Sequence, residues 1–242
     1  MPWVNLTNLR RPPHLRTEKS PFPEVLEILH EDNHLLVVVK PSGILVQGDH
    51  TGDPTVLDHA KAYLKEKYRK PGNVYLGLVH RLDRPASGVI VLARTSKAAS
   101  RLSEQVRSRS FKKTYHALIE GQPPRQAEWT DLLIREDQHS RVAKKEESGK
   151  EARLTYTVLN HEQSATLVKI KLITGRHHQI RVQFASRGYP LLGDFRYGSK
   201  KTFGERAIAL HASRVDFEHP TLKTPIICES APTWKLSREQ RF

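Results

Sequence analysis

The chain has 242 residues, of which 37% are hydrophobic and 27% charged, and its 40 Lys+Arg against 26 Asp+Glu leave a formal net charge of +14. That length suits one large domain or two small ones with a real core. No stretch approaches the roughly 18 apolar residues of a membrane helix, and the opening MPWVNLTNLRRPPHLR lacks the apolar run of a secretory signal. A field this positive attracts phosphate polymers, although a merely solvated basic face would give the same total.

Residues 1–23 carry Pro2, Pro12, Pro13, Pro21 and Pro23 among Arg10, Arg11, Arg16 and Lys19, a density of proline that opposes regular structure and predicts a basic arm. His34–Lys40 (HLLVVVK) predicts a strand, stopped by the turn Pro41-Ser42-Gly43. Thr55–Tyr68 has helical spacing, with Leu57, Ala60 and Leu64 on one side. Val89–Ala93 (VIVLA) is apolar throughout, as a strand covered on both faces would be. Ser96 is placed to cap a helix running to about Ser108, with Ala98, Leu102 and Val106 inward and Lys97, Arg101 and Arg107 outward.

Thr114–Glu120, Arg153–Leu159 and Thr166–Ile173 read as strands. The last alternates Val168, Ile170 and Leu172 with Lys169 and Lys171. Arg135–Ala152 is so highly charged that an exposed loop or hairpin is expected, either useful for RNA contact or simply solvated. A turn at Thr174-Gly175 leads into a helix carrying Ile180 and Phe184, and Arg206–Phe217 resumes strand character. Strands that follow one another without helices between them predict an α+β fold, with a mixed, largely antiparallel central sheet flanked by helices.

Several chemistries are unsupported. The sequence has no GxGxxG and no GxxxxGK[ST], so no nucleotide cofactor is expected. HEQSA at His161 lacks a second histidine, and His80-Arg81-Leu82-Asp83 has the HRD of kinases without their other motifs. His177-His178, read as helical neighbours about 100° apart, would be poor joint metal ligands. The only cysteine, Cys228, can build neither an internal disulfide nor a thiolate zinc site, so a reducing cytoplasm is expected.

Leu78–Thr95 reads LVHRLDRPASGVIVLART, a carboxylate between two arginines at the mouth of a buried strand. A structural Arg–Asp pair at a sheet edge is the plain reading of it. The segment, however, resembles the HRLDxxTSG motif of the RluA-type pseudouridine synthases. Ala86 stands where that family has Thr, which removes a hydroxyl and an expected turn hydrogen bond. Lys40-Pro41-Ser42-Gly43 is similar to the family's KPxG turn, and Lys113–Ala117 (KTYHA) to its K-x-Y-x-A strand. Thr174–Gly188 (TGRHHQIRVQFASRG) is similar to its TGRxHQIR helix. Leu192-Gly193-Asp194 with Tyr197-Gly198, and the later IALHASRVDFEHP, continue the resemblance across residues 24–234.

The resemblance implies a catalytic domain over residues 24–242 and isomerisation of uridine to pseudouridine in structured RNA, ribosomal or transfer. Such a rearrangement is redox-neutral and calls for no cofactor and no metal. Asp83 would be the catalytic carboxylate, Arg181 the cation keeping it charged, and Tyr115 the ring stacked on uracil. Arg81, Arg84, Lys113 and Arg176 would hold RNA, while His80, His178 and Gln179 would orient the reacting groups by hydrogen bonds. Only about 23 residues precede the match, too few for a folded RNA-binding module, and a monomer is expected. The rival readings are an RNA-binding module without catalysis and a glycosidase-type hydrolase. The hydrolase would need a second carboxylate, and Asp194, the nearest candidate, reads as a loop residue.

Overall fold

The computed structural model describes residues 26–162 and 165–234, so the expected arm at 1–23 lies outside the described residues. In chain order the strands are β1 (Ile28–Glu31), β2 (Leu35–Lys40), β3 (Gly77–Leu78), β4 (Ser87–Ala93), β5 (Lys112–Ile119), β6 (Gln126–Glu136), β7 (His139–Val142), β8 (Lys150–Glu162), β9 (Ala165–Leu172), β10 (Leu210–Glu218) and β11 (Pro225–Glu229). The helices are α1 (Val56–Lys67), α2 (Ser96–Arg107) and α3 (Gln179–Ala185). The strands form one sheet in the order β1-β2-β4-β10-β5-β9-β8-β6-β7, with β3 on β4 and β11 on β10. Only the β4–β10 pairing is parallel; the other pairings between named strands are antiparallel. This is the mixed, largely antiparallel sheet expected from the sequence.

Alternate residues of β2 and β4 go into two separate cores. Leu36, Val38, Ile90 and Leu92 face one core with Ala60 and Leu64 of α1 and Ile180 and Phe184 of α3. Leu35, Val37, Val89 and Val91 face the other with Ala98 and Leu102 of α2. Both strands are therefore apolar without alternation, because each face removes side chains from water. Helix α1 starts from a reciprocal cap in which Thr55 and Asp58 bond each other's backbone N–H. Helix α2 is capped by Thr95, whose hydroxyl accepts the Ala98 N–H at 3.1 Å, and not by Ser96. Its outward Arg101 is bonded to the Pro220 carbonyl at 2.8 Å.

The expected strand over Arg206–Phe217 begins only at Leu210, because the backbone N–H groups of Ile208 and Ala209 bond the loop carbonyls of Pro85 and Leu192. The charged stretch Arg135–Ala152 is a hairpin packed on the sheet, since β7 pairs with the end of β6. Within it Arg141 is bonded to both Glu136 and Glu147. Strand β10 lies between β4 and β5 and joins two halves of the sheet. At that join Gly88 has φ +117°, and a Cβ there would lie 2.3 Å from the Ala212 carbonyl oxygen, so only glycine fits.

Phe184 is fully buried and packs its ring against Trp129 and Tyr156 at centroid distances of 4.7 and 5.3 Å. Phe184→Ala is expected to destabilise the fold by about 3–5 kcal/mol, read from equilibrium urea unfolding.

Candidate active site

Asp83 lies in the loop that leads into β4, and the backbone carbonyls of Asp83, Arg84, Pro85 and Ala86 are all bonded. The Ala86 N–H donates to the Asp83 carbonyl, the Gly43 N–H to the Arg84 carbonyl and the Ile208 N–H to the Pro85 carbonyl. The turn is thus closed by backbone, and Ala86 loses nothing there for want of a threonine hydroxyl. Lys40, wholly buried, sends its ammonium into the same loop, donating to the carbonyls of Pro41, Arg84 and Ala86 at 2.9, 3.0 and 2.6 Å. Burial pushes its pKa down to about 7, against the pull of the Asp83 charge. Three carbonyls satisfy the three donors of an ammonium.

The Asp83 carboxylate meets Arg181 across 98 residues of sequence, with Nη1 donating to Oδ2 at 3.0 Å. Asp194 grips the other edge of the same guanidinium with two bonds, Nε to Oδ2 at 2.7 Å and Nη2 to Oδ1 at 2.8 Å. Asp194 is only 1% exposed, so its loop position hides a buried ion pair of the fork-to-fork kind. It is the anchor of Arg181 and not a second carboxylate facing the cleft. Burial opposes the charge on Arg181, but the hydrogen bonds and charges of Asp194 and Asp83 outweigh it and raise its pKa. The Tyr197 ring lies 4.9 Å from the guanidinium carbon and closes a face of the group. Asp83 Oδ1 has no hydrogen-bond partner among the described residues.

Asp83 opens on a cleft of about 1290 Å³ that Tyr115, Lys113, Arg81 and Arg176 also line. Tyr115 is 6% exposed on β5, and burial followed by the Asp83 charge raises its pKa, so its hydroxyl keeps its proton. Lys113 has its pKa lowered by burial. Gly175 leaves room for the lysine, since a Cβ there would sit 3.0 Å from its Nζ. Arg109, Arg135 and Lys150 line the cleft as well; the sequence reading offered the stretch 135–152 for RNA contact without choosing residues in it, and it passed over Arg109, which pairs with Glu151. It also passed over Tyr197, although the YG of the matched motif marked the place.

Other expected site residues are used as scaffold. Arg84 turns away from the cleft, donating through Nε to the Gly43 carbonyl at 3.0 Å and pairing with Asp53. Gln179 ties the TGR turn together, accepting from the Thr174 hydroxyl and the Arg176 N–H and donating to the Arg153 carbonyl. His80 accepts the Val91 N–H at 3.0 Å and so braces β4; burial, with a smaller effect of Lys113, lowers its pKa to about 3. His178 does reach the site, with Nε2 at 3.5 Å from Asp83 Oδ2. It stands before α3 with φ +53° and is not 100° around a helix from His177. The two rings stack at 3.8 Å.

The fold that carries this clamp is that of solved pseudouridylate synthase domains. It superposes on human RNA Pseudouridylate Synthase Domain Containing 4 with a TM-score of 0.71 at 25% identity, covering 88% of this chain and 89% of that one. On human RNA Pseudouridylate Synthase Domain Containing 1 the TM-score is 0.70 at 25% identity, covering 86% and 84%. Residues 34–186 match the RNA pseudouridylate synthase family model, and the chain belongs to that family. A Haemophilus ducreyi protein named ribosomal large subunit pseudouridine synthase C is 35% identical over 236 residues, 91% of this chain and 70% of the relative. YhcT of Bacillus subtilis, named as an uncharacterised RNA pseudouridine synthase, is 35% identical over 217 residues, 87% of this chain and 70% of the relative. Against the Buchnera aphidicola and Vibrio parahaemolyticus relatives of the synthase C name, the chain spans 65% and 62% of their length, under two thirds.

Arg181→Ala would leave Asp194 buried without a partner, and denaturant unfolding is expected to record a loss of about 3–5 kcal/mol. Acid offers a second check. His80 has a folded pKa near 3 against an ordinary 6.5, so below pH 6.5 the unfolded chain binds the extra proton. The stability present above pH 6.5 is then lost as pH falls toward 3. His80→Gln should flatten that slope in unfolding measured between pH 7 and 4; an unchanged slope would refute the assignment.

Proposed function

We propose that this chain isomerises uridine to pseudouridine in structured RNA, with Asp83 as the reacting carboxylate. The observation that carries the proposal is the shared guanidinium. Arg181, fixed by Asp194, gives Asp83 Oδ2 a cationic partner at 3.0 Å and leaves Oδ1 unbonded on a residue that lines a nucleotide-sized cleft. A carboxylate has no use in a site that only grips phosphates, because like charges repel. Family membership and the names of the bacterial relatives support the same reading.

The chemistry breaks the C1′–N1 glycosidic bond, turns the uracil, and joins C1′ to C5. The proton on C5 leaves and N1 ends with one, so the product is an isomer of the substrate. Asp83 acts first, as nucleophile or as base. The uridine must leave its stack to reach it, and the Tyr115 ring at the cleft floor offers a flat surface for the extruded base. The Tyr115 hydroxyl, protonated in the free protein, takes part in moving the C5 proton once the new bond exists. Arg81, Lys113 and Arg176, with Arg109, Arg135 and Lys150 at the walls, are available to RNA phosphates. Ribosomal RNA is the first substrate to try, because several bacterial relatives are named for the large ribosomal subunit, and transfer RNA is the second.

Asp83→Asn is expected to abolish tritium release from RNA carrying [5-³H]uridine while RNA affinity, from filter binding, stays within about threefold of the parent, since phosphate contacts supply most of it. Turnover retained by this variant would overturn the proposal.

A further inference from the structure

A line of contacts leads from Asp83 into the body of the protein. Beyond the 3.5 Å approach of His178 Nε2 to Asp83 Oδ2, His178 Nδ1 lies 2.8 Å from the Tyr197 hydroxyl oxygen. The same oxygen accepts the backbone N–H of Ser140, on β7, at 2.9 Å. Burial lowers the pKa of His178 to about 3, with the Asp83 charge opposing, so the imidazole is neutral and carries a single N–H. Which nitrogen bears it depends on what the other one meets.

The donors can be counted. A phenol has one proton to give, and Ser140 already donates to its oxygen. Among the described residues, His178 Nδ1 is the acceptor within reach of that proton. Donation from Tyr197 to Nδ1 places the imidazole proton on Nε2, facing the carboxylate. The opposite tautomer is penalised twice: it takes from the phenol proton its acceptor among the described residues and turns a nitrogen lone pair onto a carboxylate oxygen.

We infer that Tyr197 is a positioning residue for the proposed reaction, its hydroxyl holding His178 as the Nε2–H tautomer so that an N–H is aimed at Asp83 Oδ2. The inference rests on the reading of Asp83 as the reacting group. At 3.5 Å the contact is longer than a hydrogen bond, and such catalytic contacts tighten when substrate fills the site. Two donors converging on Oδ2, from Arg181 and His178, set the carboxylate's rotation and keep Oδ1 toward the cleft.

Tyr197→Phe keeps the ring beside Arg181 and removes only the hydroxyl. In the ¹⁵N spectrum of histidine-labelled full-length protein, His178 is expected to be protonated at Nε2 in the parent and to shift toward Nδ1 protonation in Tyr197→Phe. The variant should lose about tenfold or more in kcat, as wrong tautomers and lost outer contacts do, with KM for RNA changed less than about twofold. In a His178→Gln background the amide donates toward Asp83 without any tautomer to fix. Tyr197→Phe should there bring no further loss, whatever the rate of that background. A parent His178 protonated at Nδ1 would overturn the inference, as would an equal loss from Tyr197→Phe in both backgrounds. A parent protein that forms no pseudouridine would instead sink the functional reading, and the spectrum, which needs no substrate, tells the two failures apart.

Discussion

One guanidinium shared between two carboxylates governs this structure. Arg181 is nearly buried, and a buried cation is costly unless its donors are met. Asp194, the more deeply placed acid, takes the bidentate edge and cancels the charge, which leaves the Nη1 edge for Asp83. The two acids therefore do different work. One is sealed and spends both oxygens on the arginine; the other spends one and keeps one. A single Arg–Asp pair would have to choose between holding the arginine still and presenting a usable oxygen.

The scaffold serves the same end. The loop of Asp83 is fastened by the Gly43 turn, by Lys40 and by the approach to β10, while Arg181 is carried on α3 and Asp194 is held by its two bonds to that arginine. Neither partner is carried on a free loop. A geometry that must persist to a few tenths of an ångström is built on packed elements, and here the packing arrives from three distant parts of the chain.

Where burial is two-sided, the sequence was plain to read. LLVVV and VIVLA admit little besides covered strands, and both lie where expected. Strand β6 was not legible because one of its faces is largely open, and QAEWTDLLIRE mixes charge with apolar residues in a way that a loop also would. Strands β1 and β11 are short, and β11 is mostly exposed. Asp83, Tyr115 and Arg181 were legible through motif and chemistry together. Arg84 was assigned to RNA through the motif it sits in, yet its side chain turns to the Gly43 carbonyl and Asp53, a direction that spacing does not encode. Asp194 is the loop residue it reads as, but its burial and its grip on Arg181 were not legible, because a loop position says nothing about depth.

The placement of β10 has a consequence for how the protein comes into being. Asp83 belongs to the half of the sheet made first, and Tyr115 and Arg181 to the half made next, but the strand joining those halves is among the last synthesised. Until residues 210–218 are in place, the two halves lack the pairings through which β10 joins β4 to β5. A nascent chain that stops short of β10 therefore carries both acids and the arginine without the strand that aligns the two halves of the sheet.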